Sequence, residues 1–400
     1  MANPAPSRVL SIDAFRGFVM FLMMAEVLRL PKMAQHFSPG TFWGNFWSWV
    51  GFNTSHVDWY GCSLHDLIQP SFSFLVGVSL PFSIASREAK GQSRWRMLAH
   101  AVWRAILLVA LGIFLRSIGK PQTNFMFTDT LGQIGLGYVF LFLIGLCWQP
   151  VQWGALVLIL GGYWALFAYW PLPSAEFDYQ SVGVSAAWRQ EHSYDDFRAH
   201  WNLNTNPAME FDKWFLNQFP RAKEFKYEKE GYATLNFIPT LATMILGLLA
   251  GGWLRQPWPS WQKWGLFIVV GLACLGAGYA LDYFQICPIV KKIWTPAWVL
   301  ASGGATFLML AGFYLVIEMI GFWQWSYPLL VIGANSIVAY CLAHDPIKSF
   351  VKDRLHAHLG KDLFLEFGPQ WENMLIGAAV LLVFWLVLWW MYLNKIFVRI

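Results

Sequence analysis

Ten stretches of this 400-residue chain stay apolar for roughly the 20 residues that a helix needs to cross a bilayer. They lie near 9–30, 64–86, 97–117, 129–148, 150–170, 233–254, 263–281, 297–320, 327–345 and 372–393. That pattern leads to an all-α fold: one polytopic integral membrane bundle of about ten transmembrane helices, forming a single domain over 1–400. Little more than Trp148, Gln149 and Pro150 separates the fourth and fifth runs, which therefore read as a tight antiparallel hairpin. Two connections are long, 171–232 and 346–371, and loops of that length are uncommon unless they serve a function. Inside the first, Glu210 to Phe219 carries apolar residues at helical spacing, suited to a short helix lying on the membrane surface.

Only 13% of the residues are charged, against about 25% in a typical soluble domain. The net charge of +5 is spread over short loops, so it bears on topology and not on nucleic-acid binding. Arg87, Lys90, Arg94 and Arg96 place the loop after the second run in the cytoplasm, and Lys395 and Arg399 place the tail there too. Both termini are then cytoplasmic, with His56 and the 171–232 loop on the opposite face. The basic 346–371 loop and the Lys291–Lys292 pair would also lie outside, against the trend. The Met1–Arg8 leader is short, and the run after it carries Asp13 and Arg16 without a small-residue cleavage site, so no cleavable signal is expected. Cys62, Cys147, Cys274, Cys287 and Cys341 show no metal-binding spacing and read as small buried hydrophobes.

The chemistry concentrates where charge enters apolar sequence, because ionisable groups are costly there. His56, Asp58, His65 and Asp66 cluster just ahead of the second run, beside Trp59. A neutral imidazole accepts a proton near neutral pH, which suits His56 to general-base or nucleophilic work. Asp66 would orient it, as the acid does in a Ser-His-Asp triad, or would cap the second helix. His65, next to Asp66, would face elsewhere. Glu26 sits thirteen residues beyond Asp13, near the far end of the first helix, and needs a polar cavity or a partner. Asp13 and Arg16 share a helix face and read as an ion pair between helices or as a phosphate contact, with Gly17 allowing close helix approach.

Further polar candidates recur along the chain: Asp129 and Gln133, Asn236 and Thr240, Glu318, Asn335 and Ser336, then His344, Asp345 and Lys348. Lys291, Lys292 and Trp294 precede a helix start and read as a phosphate site or as an interfacial anchor. Trp188, Trp201 and Trp214 would stack on sugar rings or pack at the interface. There is no Walker A loop, GxGxxG, HExxH or GxSxG in its proper setting. Asn53-Thr54-Ser55 is a formal glycosylation sequon.

Six motifs, in order, carry a resemblance. They are Ser11-Ile-Asp13-x-Phe15-Arg16-Gly17, His56 to Pro70, Asp129 to Ile134, Asn236 to Thr243, Lys292 to Pro296 and Gly333 to Ile337. Together they resemble the heparan-α-glucosaminide N-acetyltransferase family of polytopic transmembrane acetyltransferases. The resemblance implies acetyl-CoA as co-substrate on the cytoplasmic side, transfer to a terminal amino sugar on the other side, and His56 as the catalytic histidine. The lysosomal members carry an Asn near the end of the first motif's helix, and that position falls on Val27, beside Glu26. Set beside those members, the chain is expected to do without their extra lumenal segment and first helix and to resemble a short bacterial-type relative of the cytoplasmic (inner) membrane.

The expected function is transmembrane acetyl transfer to an amino sugar or related glycan, with N-acylation ahead of O-acylation. His56, Asp66 and Glu26 are the catalytic candidates. Asp13, Arg16, Trp59, Gln133, Asn236, Lys291, Lys292, Trp294, Asn335 and His344 are the binding candidates. The expected partners are acetyl-CoA, the glycan acceptor and the bilayer, with a homodimer compatible and no metal or nucleic acid. The competing class is a transporter or flippase of a small polar or lipid-linked solute. Such folds often show matching interrupted helices in two halves, and the chain shows no such internal repeat.

Overall fold

The computed structural model describes residues 9–360 and 362–398. The Met1–Arg8 leader and the tail cation Arg399 lie outside the described residues. In chain order the α-helices are α1 (Leu10–Met24), α2 (Phe42–Asn53), α3 (Ile68–Ala89), α4 (Arg94–Ser117), α5 (Thr130–Gly145), α6 (Gln149–Ala168), α7 (Ala186–His192) and α8 (Pro207–Leu216). They continue as α9 (Phe237–Leu254), α10 (Ser260–Tyr283), α11 (Pro296–Tyr314), α12 (Tyr327–Ala334), α13 (Ser336–Leu342), α14 (Ile347–Leu359) and α15 (Pro369–Leu393). Extended pairing among the described residues is limited to a bridge between Tyr60 and Val290. The protein is an all-helical, polytopic membrane protein.

Among the described residues, seven helical segments are long and apolar enough to cross a bilayer: His65–Ala89, Arg94–Ser117, Gln149–Ala168, Thr234–Leu254, Ser260–Tyr283, Pro296–Met319 and Pro369–Leu393. An eighth is reached if α12 and α13, bent by 75° at Asn335, count as one broken span. The count of ten is not reached, and the shortfall has a local cause. The first apolar run stops being α-helical at Met24, after 15 residues, and α5 stops after 16. At about 1.5 Å per residue these span roughly 22–24 Å, short of a hydrocarbon core of about 30 Å. Beyond Met24 the chain tightens into 3-10 turns, Ala25–Leu28 and Leu30–His36, separated by Arg29 in a left-handed conformation at φ 51°. A left-handed non-glycine residue cannot continue the helix, so Arg29 turns the chain aside.

The described residues form two compact units. The first comprises 58–61 and 69–311. Its centre is α9, buried along almost its whole length. Glycine lets α3 and α9 meet backbone to backbone: a Cβ on Gly247 would stand 1.9 Å from the Phe74 carbonyl oxygen, and one on Gly77 1.9 Å from that of Met244. Small residues at such seams are how helices pack closely where lipid supplies no hydrophobic drive. In the 171–232 connection, Asn206 caps α8 through its side-chain oxygen, which accepts from Met209 N at 3.2 Å. Met209 and Leu216 of α8 pack against Met126, Phe127 and Phe225, while Trp214 stays exposed.

The second unit comprises 9–57, 62–68 and the chain from 312 onward. Here α1 crosses α12 through two glycines: a Cβ on Gly17 would lie 1.8 Å from Leu329 O, and one on Gly333 2.2 Å from Asp13 O. Glu318 accepts from the Ser11 amide at 3.0 Å, satisfying a donor at the start of α1 that has no intrahelical partner. The 3-10 turn after α1 lies against α15, where Gly377 leaves room for the Val27 carbonyl.

Candidate functional site

Within the second unit, α2 delivers the chain to His56. Thr41 caps α2 through its hydroxyl oxygen, which accepts from Gly44 N at 3.0 Å. At the other end the hydroxyls of Thr54 and Ser55 donate back to Val50 O (2.8 Å) and Gly51 O (2.6 Å), closing the helix. His56 follows in a non-helical segment, and Asp66 returns on the short 3-10 turn His65–Leu67 that opens α3.

Asp66 and His56 meet at 2.8 Å between Oδ1 and Nδ1. The Asp66 side chain is 0% exposed and that of His56 43% exposed. The second carboxylate oxygen is held by the backbone amides of Ser63 (3.1 Å) and Val57 (3.3 Å), with the Ser63 hydroxyl at 2.9 Å. Ser63 Oγ also accepts from the Asp66 amide at 3.2 Å, so the capping contact at this turn comes from Ser63 and the Asp66 carboxylate turns to His56. A carboxylate accepting at Nδ1 selects the tautomer with its proton on Nδ1, which leaves the Nε2 lone pair as the basic atom.

His65 is placed differently from its sequence expectation. Its ring centroid lies 4.6 Å from that of His56, at an interplanar angle of 48°. His65 Nε2 lies 3.1 Å from Glu26 Oε1, and Glu26 Oε2 lies 3.7 Å from Lys348 Nζ. Lys348 in turn stands 3.9 Å from Asp345 Oδ2. Glu26 therefore reaches the site through His65, and two imidazoles stand side by side, each with its own carboxylate. Adjacent residues on an ideal α-helix diverge, but residues 65–67 form a 3-10 turn and His56 comes from a loop. Sequence spacing carries no signal of that meeting.

The other candidates in this unit lie apart from the pair. Arg16 Nη1 donates to Asp13 Oδ1 at 3.1 Å near the start of α1, ten residues from Glu26 and so about 15 Å along the helix axis. Asn335, at the α12–α13 break, donates to Ile396 O (2.9 Å) and accepts from Val398 N (3.0 Å). His344 Nδ1 lies 3.0 Å from Tyr340 O, and the two rings are in contact at 4.7 Å.

The remaining candidates belong to the first unit. Gln133 Nε2 donates to the carbonyls of Phe127 (2.6 Å), Ala233 (3.3 Å) and Thr234 (3.3 Å). Asn236 Nδ2 donates to Lys292 O at 2.7 Å, and Trp294 Nε1 donates to Thr243 Oγ1 at 3.1 Å. Trp294 also adopts a left-handed conformation, φ 50°. Lys291 is buried and Lys292 half-buried. These residues brace irregular backbone at 233–236 and 291–295, yet Gln133 Oε1 and Asn236 Oδ1 are buried without a hydrogen-bond donor among the described residues. Trp59 packs edge-on against Trp188 at 5.7 Å, and Asp58 lies 4.0 Å from His192. Sequence reasoning passed over Asp212, which is fully buried on α8 and accepts from Thr234 N at 2.9 Å. Burial pushes its carboxyl up to about 6, and the Thr234 hydrogen bond only partly offsets that. Among the described residues no group of three or more His, Cys, Asp or Glu is placed to hold a metal.

No family model matches the chain. It is 23% identical over 390 residues to heparan-alpha-glucosaminide N-acetyltransferase of Homo sapiens, covering 86% of this chain and 54% of that protein. It is 22% identical over 388 residues to the Mus musculus protein of the same name, again covering 86% of this chain and 54% of that protein. The chain thus spans about half the length of the curated relatives it matches. Over that half, this all-helical membrane protein is a distant homologue of heparan-alpha-glucosaminide N-acetyltransferase.

Proposed function

We propose that this protein is a transmembrane acyltransferase that moves an acetyl group from cytoplasmic acetyl-CoA to an amino sugar or related glycan on the other side of the membrane. The observation that carries the proposal is the 2.8 Å contact between buried Asp66 and half-exposed His56, in which the carboxylate holds the imidazole by Nδ1 and makes Nε2 its basic atom. The distant homology supports the reaction class. In this reading His56 Nε2 accepts the proton of the acceptor amine as nitrogen attacks the thioester carbonyl. The new C–N bond forms, the C–S bond breaks, and the proton passes from His56 to the departing CoA thiolate. Asp66 is a positioning residue that holds the tautomer and favours the imidazolium. A direct attack by His56 on the thioester would give an acetyl-imidazole first and ping-pong kinetics. Arg94 and Arg96, exposed at the start of α4, are candidates for the CoA phosphates. The topology that suits this places both termini in the cytoplasm of a bacterial cell, with His56 facing away from it.

One observation favours the transporter or flippase reading: α12 and α13 form a discontinuous helix, bent by 75°, of the kind that lines substrate sites in transporters. The amide of Asn335 at that break is satisfied on both sides by the backbone of Ile396 and Val398, which makes the break a closed structural joint. Purified protein with radiolabelled acetyl-CoA and a panel of amino sugars separates the two readings. Acetylation by the wild type that disappears in His56→Ala supports transfer. CoA that neither binds nor is consumed removes it and favours transport. Label trapped on His56 without acceptor selects the acetyl-imidazole route, and a ternary-complex rate law selects the general base.

A further inference from the structure

Three cavities in the second unit share lining residues; the middle one reaches His65, and the three differ in character. A small polar cavity of about 90 Å³ is lined by Glu26, Arg29, Asp345, Lys348 and Lys352. A larger one of about 570 Å³ shares Glu26 and Arg29 with it and ends on His65, with Phe21, Leu22 and Leu28 among its walls. A third, of about 590 Å³, shares Phe21 and Leu28 with the second and continues past Met24, Leu329, Leu382 and Trp385. The larger two each have the size of a small-molecule site, commonly about 300–1,000 Å³.

The charge at the polar end is unbalanced. Lys348 is shared between Glu26 and Asp345, at 3.7 and 3.9 Å. Arg29 and Lys352 make no ion pair among the described residues, and neither does Lys32 on the rim of the second cavity. A cationic end calls for an anion, and the apolar stretch calls for a chain. A soluble sugar phosphate would satisfy the first and waste the second. An amphiphile satisfies both, and it is the molecule that a membrane protein meets at high local concentration.

We propose that these cavities bind a lipid phosphate, with its phosphate among Arg29, Lys348 and Lys352 and its chain along the apolar groove. The acceptor is then the amino-sugar headgroup of that lipid, brought to His56 and His65 from within the bilayer. The proposal rests on the acyl-transfer reading only for the fate of the headgroup: the thioester C–S bond breaks, an amide C–N bond forms on the sugar amine, and the amine proton passes through His56 to the departing thiolate, so that CoA leaves as the thiol. A chain leaving lipid for an apolar groove gains little from the transfer itself, since lipid is as apolar as the groove. Selection therefore falls on the phosphate, and the groove serves to raise the effective concentration of the headgroup at the site.

The test uses the full chain in phosphatidylcholine nanodiscs with radiolabelled acetyl-CoA and three acceptors: glucosamine, glucosamine 1-phosphate and glucosaminyl dodecyl phosphate. Binding of radiolabelled dodecyl phosphate is measured separately, without turnover. The expected kcat/KM for the lipid-linked acceptor exceeds that for glucosamine 1-phosphate at least tenfold. That ratio collapses toward one in R29Q/K352Q and in the groove-filling Leu22→Trp, and R29Q/K352Q weakens dodecyl phosphate binding at least tenfold. A wild-type ratio near one overturns the proposal. So does an R29Q/K352Q protein whose defect lies in the KM for acetyl-CoA, which would assign these cations to CoA. If no acceptor is acetylated at all, the acyl-transfer reading fails alone: dodecyl phosphate binding that needs Arg29 and Lys352 sustains the lipid site, and absent binding removes it.

Discussion

Two polar clusters in this protein solve the same problem in opposite ways. Around His56, side chains pair with side chains: imidazole with carboxylate, twice over, with one ring left half-exposed. Around Gln133 and Asn236, amide side chains pair with backbone carbonyls, deep in the first unit. An imidazole takes up and releases a proton near neutral pH, whereas a carboxamide does not. The first arrangement can do chemistry at a surface, and the second can hold irregular backbone where water is absent. The contrast separates a candidate reacting site from a brace, and it can be broken by experiment.

The largest effect is expected at His56. His56→Ala should lower kcat for acetyl transfer by about 10²–10⁴, the range of a general base, with the thermal unfolding midpoint little changed. A transfer rate within threefold of wild type would take His56 out of the chemistry. Asp66→Asn should cost about 10²-fold or more, because an amide no longer selects the reactive tautomer. Measured as a pH–rate profile, that loss should persist across the range, since no increase in pH restores the missing charge.

The next effect is thermodynamic and lies in the first unit. Asp212 carries a carboxyl raised to about 6 by burial, above its unfolded value. Its contribution to stability is present below about pH 4 and is lost as pH rises through about 6, a cost on the order of 3 kcal/mol at pH 7.5. Asp212→Asn should therefore raise the unfolding midpoint at pH 7.5 and leave it nearly unchanged at pH 4. Equal midpoint shifts at both values would show that the charge is not what burial penalises. The smallest effect is expected at the brace. Gln133→Leu should destabilise by about 1–3 kcal/mol, because it strands buried carbonyls, while kcat stays within a few-fold. A loss of kcat without a stability change would turn the unsatisfied Oε1 of Gln133 into a ligand contact and erase the contrast.

Spanning segments were legible because apolar length is a local property that accumulates residue by residue. Seven of the ten apolar runs became full-length helices for that reason. The first, fourth and ninth did not: α1 and α5 ended early, and the ninth run bent at Asn335. The end of α1 goes with Arg29's left-handed turn and the bend with where Asn335 finds its partners, and hydropathy measures neither. At the site, the ten-residue spacing of His56 and Asp66 was enough to suggest a pair, since both flank one short loop. Ser63's part in holding Asp66 was not legible, because a serine in a loop has many equivalent partners.

Amino-acid order by itself determined that this chain enters a membrane as helices and where its charge concentrates. Only tertiary structure decided that Glu26, 39 residues from His65, would reach the site through it, and that Gln133 and Asn236 would spend their amides on backbone. The physical reason is the same in each case. Burying a group depends on the summed character of its neighbours in sequence, but satisfying it depends on which single atom arrives within about 3 Å, and that is settled by packing.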